Sequence, residues 1–291
     1  MKRKKDEGRP RSVEPYLFIA PTVIIFVFVL AIPLVNLVRY SLGESNIIQG
    51  YREWNNFENF LYLISPDFLA SLGVTLKYVV FSVIGIAFFG MAVSLALNKP
   101  IFGRGLFRAI AVVPWVIPHA FAATMWRWVV NPQFGFINQL LMAMGVIDEG
   151  FSFLNVDTAL WTCVVVRIWQ GTPFMIISLL AALQTIPEDI VEASLIDGAS
   201  PFQQFFHITL PSIRNVFLTT ILIITAWTIQ IFDTVYIMTG GGPIRSTQLV
   251  AIEVYQQAFQ YDNLGVASAI SLLILLIIVM LSLANQKGKE K

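Results

Sequence analysis

Six stretches of the chain are apolar almost without interruption, at about residues 16–39, 73–97, 108–130, 158–182, 214–238 and 264–284. Each matches a membrane-spanning helix, which needs about 20 apolar residues to cross the hydrocarbon layer. Continuous apolarity, rather than alternation with a period of two, argues for helices and against a β-barrel. Pro33, Gly85, Gly90, Pro114, Pro118, Gly171 and Pro173 fall inside the runs. They are tolerable there, because neighbouring helices satisfy freed backbone groups. The predicted fold class is therefore an all-α membrane protein with six transmembrane helices. One membrane domain covers 16–285, flanked by tails at 1–15 and 286–291.

Residues 183–213, between the fourth and fifth runs, are polar and dense in helix punctuation. Thr185-Ile-Pro187-Glu188 reads as a capping box with proline in the first turn. Gly198 stands where a helix end calls for positive φ. Ser200-Pro201-Phe-Gln203 starts a second short helix, and Leu210-Pro211 ends it. A helix, a sharp turn and another helix exceed what a connection between spans requires. The segment reads as a docking element.

Composition supports a membrane protein and orients it. Hydrophobic residues make up 56% of the 291 and charged ones 13%, about half the charged share of a soluble domain; mean hydropathy is +0.72. Thirteen Lys and Arg lie in the two tails, the 98–108 loop and the 183–214 loop, against Arg52 and Arg245 in the remaining loops. Basic residues collect on the cytoplasmic side, so both termini and the 183–213 segment are expected there. The net charge of +1 makes the basic tail a topology signal rather than a nucleic-acid patch. The first run is too long for a signal peptide and lacks a small-x-small cleavage site, so it reads as a retained span. Among the outer loops, 41–72 is the largest, 131–157 contains an apolar run too short to span, and 239–262 opens on a flexible Thr-Gly-Gly-Gly-Pro turn.

No catalytic set is visible: there is no Gly-x-Ser-x-Gly, no His-Glu-x-x-His, and no glycine-rich phosphate loop ending in Lys-Ser/Thr. The chain is not expected to be an enzyme, nor to hydrolyse ATP by itself. With two histidines and one cysteine, Cys163, neither a metal site nor a cofactor is expected; Cys163 reads as a small buried hydrophobe.

Glu192-Ala193-Ser-Leu-Ile-Asp197-Gly198-Ala199, followed by Ile208-x-Leu210-Pro211, resembles the EAA motif of importer-type ABC permease subunits. Trp169-Gln-Gly171-Thr-Pro173-Phe, Leu183-Gln-x-Ile-Pro187 and Phe232-Asp233-x-x-Tyr-x-Met-Thr239-Gly-Gly-Gly-Pro243 are similar to its carbohydrate branch, most of all to the larger permease subunits of maltose, glycerol-3-phosphate and multiple-sugar systems. The resemblance implies a multi-pass protein of the bacterial or archaeal cytoplasmic membrane. Its partners would be an ATP-binding subunit dimer, a second and different permease, an extracellular solute-binding protein, a sugar-like substrate and the lipid bilayer. It also implies that 183–213 forms coupling helices seated in a cleft of the ATP-binding subunit. Glu192, Ala193, Asp197, Gly198 and Ala199 belong to that role. Phe202, Phe205 and Phe206, at i, i+3 and i+4, would form its apolar face, unless they pack the segment on its own bundle.

Polar groups inside spans are costly and mark substrate paths. Arg167 lies nine residues into the fourth run, near mid-bilayer at about 1.5 Å per residue. By resemblance, Arg167, Trp115, His119 and Thr228 match positions that line the sugar site of the maltose permease, and Gln170 and Gly171 adjoin Arg167. Only Gly171 keeps that protein's residue, so a pocket is expected but not one specific for maltose. A tryptophan and an arginine suit a sugar's apolar face and hydroxyls, or a carboxylate or phosphate. Arg167 reads alternatively as the ion-pair partner of Asp233, and His119 as an interhelical hydrogen-bonding residue. The predicted function is the permease subunit of a binding-protein-dependent sugar importer. A self-sufficient secondary transporter or channel is the alternative, though no internal repeat supports it, and a membrane enzyme ranks last.

Overall fold

The computed structural model describes residues 14–289. In chain order these form α1 (Glu14–Phe26), α2 (Ile32–Ser41), a hairpin of β1 (Gly43–Asn46) and β2 (Gly50–Trp54), α3 (Glu58–Leu61), α4 (Pro66–Asn98), α5 (Arg104–Val116), α6 (His119–Val129), α7 (Phe136–Ala143) and α8 (Ala159–Leu183). After them come α9 (Glu188–Ile196), α10 (Pro201–Gln204), α11 (Leu210–Ile229), α12 (Asp233–Thr239), α13 (Val250–Tyr255) and α14 (Leu264–Lys289). Among the described residues, five helices are long and apolar enough to cross a membrane: Tyr16–Ser41, Pro66–Asn98, Ala159–Leu183, Pro201–Ile229 and Leu264–Ala284.

The sixth candidate is not a straight span. The predicted helix at 108–130 is α5 and α6, bent by 98° at the break between them. Pro118 drives its predecessor out of the helical region, and Ile117 is extended at φ −73°, ψ 123°. The run at 214–238 also divides. Its helix ends at Ile229, and α12 starts afresh at Asp233, which lets Ile231 and Val235 enter a core shared with α8.

Leu210-Pro211 does not stop a helix. α10, a π turn at Phe205–Thr209 and α11 run on as one helix. Proline has no N–H for the carbonyl four residues back and its ring collides with it. The wider turn, closed by the Leu210 N–H on the Phe205 carbonyl, accommodates both problems. The same device precedes Pro33, where a π turn at Val27–Ala31 joins α1 to α2. At the C-terminus, α14 continues past the apolar span, which ends at Ala284, as far as Lys289; the basic stretch at 1–13 and residues 290–291 lie outside the described residues.

The core is built along α4 and α8, which form the most extensive helix pair. Glycines bring them together: a Cβ on Gly85 would meet Ile168, one on Gly90 would meet Met175, and one on Gly171 would meet Ile86, each well inside van der Waals contact. Small residues at a helix interface allow this close approach. Around the pair, Ile86, Met175, Leu179, Ile213 and Ile224 form one buried cluster, and Tyr78, Cys163, Val164, Val235 and Ile252 another. The first span buries none of its most apolar stretch within this chain, and its second half touches α14.

The Gly90 contact yields a prediction. Gly90→Val would place atoms on the Cβ and Cγ of Met175, and overpacking of this kind costs about 1–3 kcal/mol. Thermal unfolding in detergent should show a lowered midpoint. Gly73→Ala, where an added Cβ meets nothing within 4 Å, should leave it unchanged or slightly raised.

Candidate functional site

The α5–α6 bend places Trp115 and His119 at one cavity, although they stand on different helices. That cavity, of about 300 Å³, is completed by Arg167, Gln170, Gly171 and Phe174 of α8 and by Ile224, Trp227 and Ile231. The α8 residues sit at i, i+3, i+4 and i+7, a single helix face. Trp115 lies 5.9 Å from Phe174 between ring centroids, and Phe174 lies 4.7 Å from Trp227. Three aromatic rings thus form one wall, and three polar side chains, His119, Arg167 and Gln170, share the lining with them. Five of the seven residues expected on a substrate path line this cavity together.

The other two behave differently. Thr228 is fully buried and its Oγ1 accepts from Arg167 Nε at 3.1 Å and Nη2 at 3.0 Å. It donates in turn to the Ile224 carbonyl at 2.6 Å, so its lone pairs are held toward the guanidinium. Asp233 is exposed and forms no ion pair with Arg167; the ion pair among the described residues is Arg245–Glu253. Asp233 instead occupies the first turn of α12, where the helix dipole favours a carboxylate. Thr234, beside it, does reach the site, donating to Gln170 Oε1 at 3.2 Å, while Gln170 Nε2 is buried without a partner.

The α9–α10 segment is shaped by its ends. Gly198 adopts φ +77°; Ala199 N–H bonds the Ser194 carbonyl and Gly198 N–H the Leu195 carbonyl, the pattern of a Schellman cap. Ser200 and Gln203 cap α10 reciprocally, at 3.3 and 2.8 Å. The expected capping box at Thr185 does not form: α9 begins one residue after an extended Pro187, and the Thr185 hydroxyl turns back to the Ala182 carbonyl. The two helices are tied by Gln204 Nε2 donating to Ser194 Oγ at 3.0 Å. Glu192, Ala193, Asp197 and Gly198 are exposed and Ala199 half-buried. The three phenylalanines divide. Phe205 packs onto the core, whereas Phe202 and Phe206 face outward, 4.5 Å apart between ring centroids; Leu195 and Ile196 of α9 are exposed as well.

One buried cluster carried no sequence signal beyond a lone acid in Val-Ala-Ile-Glu-Val-Tyr. Glu253, at the opposite end from α9, is 2% exposed in its side chain. Its carboxylate accepts from Tyr62, from Ser71 at 3.1 Å, Gln248 at 3.0 Å and Arg245 at 2.9 Å. The 239–262 loop is therefore not a loose turn: Gly241, Thr247 and Gln248 are buried within it. Burial works to raise the Glu253 pKa, but the hydrogen bonds from Tyr62 and Gln248, the Arg245 charge and the Ser71 hydroxyl outweigh it and hold the carboxyl below its usual range.

Apolar spans enclosing an aromatic and polar cavity, with a capped helix pair at one end, describe a membrane transport component. Residues 86–286 match the model of the binding-protein-dependent transport system inner membrane component, and the chain belongs to that family. It is 32% identical over 276 residues to the trehalose/maltose transport system permease protein MalF of Thermococcus litoralis, covering 94% of this chain and 92% of that one. It is 30% identical to the sulfoquinovosyl glycerol transport system permease protein SmoG of Agrobacterium fabrum, covering 88% and 83%. The fold is shared with a chain of the bacterial alginate ABC transporter, solved with alginate pentasaccharide-bound periplasmic protein: TM-score 0.80, 20% identity, 94% and 93% coverage.

The Glu253 cluster makes a pH prediction. A carboxylate whose folded pKa is depressed contributes stability above its unfolded value, about 4.3, and loses it as pH falls through the folded value. Glu253→Gln should therefore lower stability by about 1.5–3 kcal/mol at neutral pH. The gap to wild type should hold down to about pH 5 and narrow only below about 4.3. Thermal unfolding of both proteins across that range is the measurement.

Proposed function

We propose that this chain is one of two different permease subunits of an ATP-driven importer for sugars or sugar derivatives. An extracellular solute-binding protein delivers the cargo, and a separate ATP-binding subunit dimer hydrolyses the nucleotide. On this reading both termini and α9–α10 face the cytoplasm. The cargo passes the cavity of Trp115, His119, Arg167 and Gln170. The transport systems named for the relatives, trehalose/maltose and sulfoquinovosyl glycerol, support a glycoside as cargo.

The observation that carries the reading is mechanical. Pro201–Ile229 is a single helix of 29 residues. Its first two turns present the exposed Phe202 and Phe206, and its last contains Trp227, which lines the cavity, and Thr228, which holds Arg167. At 1.5 Å per residue Phe206 and Thr228 lie roughly 33 Å apart along the axis. A displacement of Phe202 and Phe206 by the closing ATP-binding subunits is thereby delivered to the residue that holds Arg167. Glu192 and Asp197 offer charged contacts to the same partner, and the turn at Gly198 sets the angle between α9 and this lever.

Replacing Gly198 tests the assignment. An L-residue in the left-handed region costs roughly 1–2 kcal/mol, and a β-branched one resists it further. Gly198→Val has open space around its Cβ, so the protein should still reach the membrane. In proteoliposomes containing the whole complex, ATP hydrolysis should persist while uptake falls at least tenfold. Uptake at the wild-type rate would sink the coupling assignment.

A further inference from the structure

We propose that the cargo carries a fixed negative charge, as a carboxylate, sulfonate or phosphate ester on the sugar, and that this charge is the counter-ion of Arg167 during passage. The inference rests on the importer reading and narrows its substrate class.

Arg167 is 3% exposed in the middle of a membrane span. Charges in that setting pair with an opposite charge or line a pathway, and removing an ion's partner inside a protein is strongly unfavourable. No carboxylate is bonded to Arg167 among the described residues. Its Nε and Nη2 both point at one neutral oxygen, Thr228 Oγ1. That contact uses the side of the guanidinium and leaves the end, Nη1 with the second hydrogen of Nη2, without an acceptor among the described residues. The end of a guanidinium is a two-pronged donor that fits both oxygens of a carboxylate, sulfonate or phosphate.

The surroundings agree with a charged glycoside rather than a bare anion. Arg167 lines the cavity together with Trp115, Phe174 and Trp227, whose faces suit the apolar side of a pyranose. Gln170 Nε2, buried and unbonded, supplies a donor for a hydroxyl. Glu253 shows how the same chain treats a buried charge meant to stay in place: it surrounds the carboxylate with donors and a cation. Arg167 receives one hydroxyl and an open cavity.

The test uses the detergent-solubilised complex of both permeases and the ATP-binding subunits, with thermal stabilisation as the readout. Two matched pairs serve as probes: methyl glucuronide against its neutral methyl ester, and glucose 6-phosphate against glucose. At least one anionic member should bind tenfold or more tightly than its neutral counterpart. In Arg167→Gln that preference should disappear, while Arg167→Lys should keep part of it. The ester comparison needs only wild-type protein, so a misfolded variant does not remove the test. Equal stabilisation within both pairs, or stabilisation by no probe, overturns the proposal. ATP-dependent uptake of neutral glycosides with no preference for charge would refute it and leave the importer reading standing. Anion-selective binding without ATP-dependent uptake would do the reverse.

Discussion

Close contact between α4 and α8 is the constraint on which the rest depends. Gly85, Gly90 and Gly171 lack the one carbon that would hold the helices apart, and Ile86, Ile168 and Met175 fill the space so created. In a membrane, where lipid is as apolar as leucine, association of this kind comes from van der Waals packing. It fixes the rotation of α8 about its axis. Once Gly171 faces Ile86, the neighbouring positions of that face, Arg167, Gln170 and Phe174, must open toward α5 and α11. The cavity is a consequence of where three glycines stand.

The two buried charges then stand at opposite ends of the energetic range. Glu253 has lost water and regained donors from Tyr62, Ser71, Gln248 and Arg245, joining the segment before α4 to α4 itself and to the loop before α13. Held by four side-chain donors from three segments, it acts as a rivet. Arg167 has lost water and regained a single oxygen. A fully satisfied buried network rigidifies, and a partly satisfied one is costly unless something completes it. The difference separates a structural charge from one that awaits a ligand.

Much of this was legible in the sequence, and its limits have physical causes. The apolar runs, the cap at Ser200 and the turn at Gly198 depend on neighbours within a few residues, so local pattern reveals them. The bend at Ile117 escapes hydropathy because both halves are equally apolar; Pro118 was visible, but a proline inside a span is as often tolerated as decisive. Thr185 carried the right residue for a cap, yet Pro187 moved the helix start out of its reach. The partner of Arg167 lay 61 positions away, where sequence offered Asp233 by charge and the fold supplied Thr228 by distance. For Glu253 the donors come from separate segments, and no spacing announces them.

The lever and the cavity meet at one hydrogen-bonded pair, and this bears on how drive and cargo could be joined. Thr228 is in the last turn of α11 and holds Arg167 through Nε and Nη2. The π turn at Phe205–Thr209 keeps α10 and α11 continuous despite Pro211, so motion imposed at Phe202 need not be lost at the proline. In the proposed function, a shift of α11 lengthens the Thr228 contacts and leaves Arg167 more dependent on the charge of its ligand. The reverse shift returns the hydroxyl and weakens that demand. An arginine held by a single movable hydroxyl would then change its affinity for an anion with the position of the helix. One held by a buried carboxylate could not, because the carboxylate would compete with the cargo in every state.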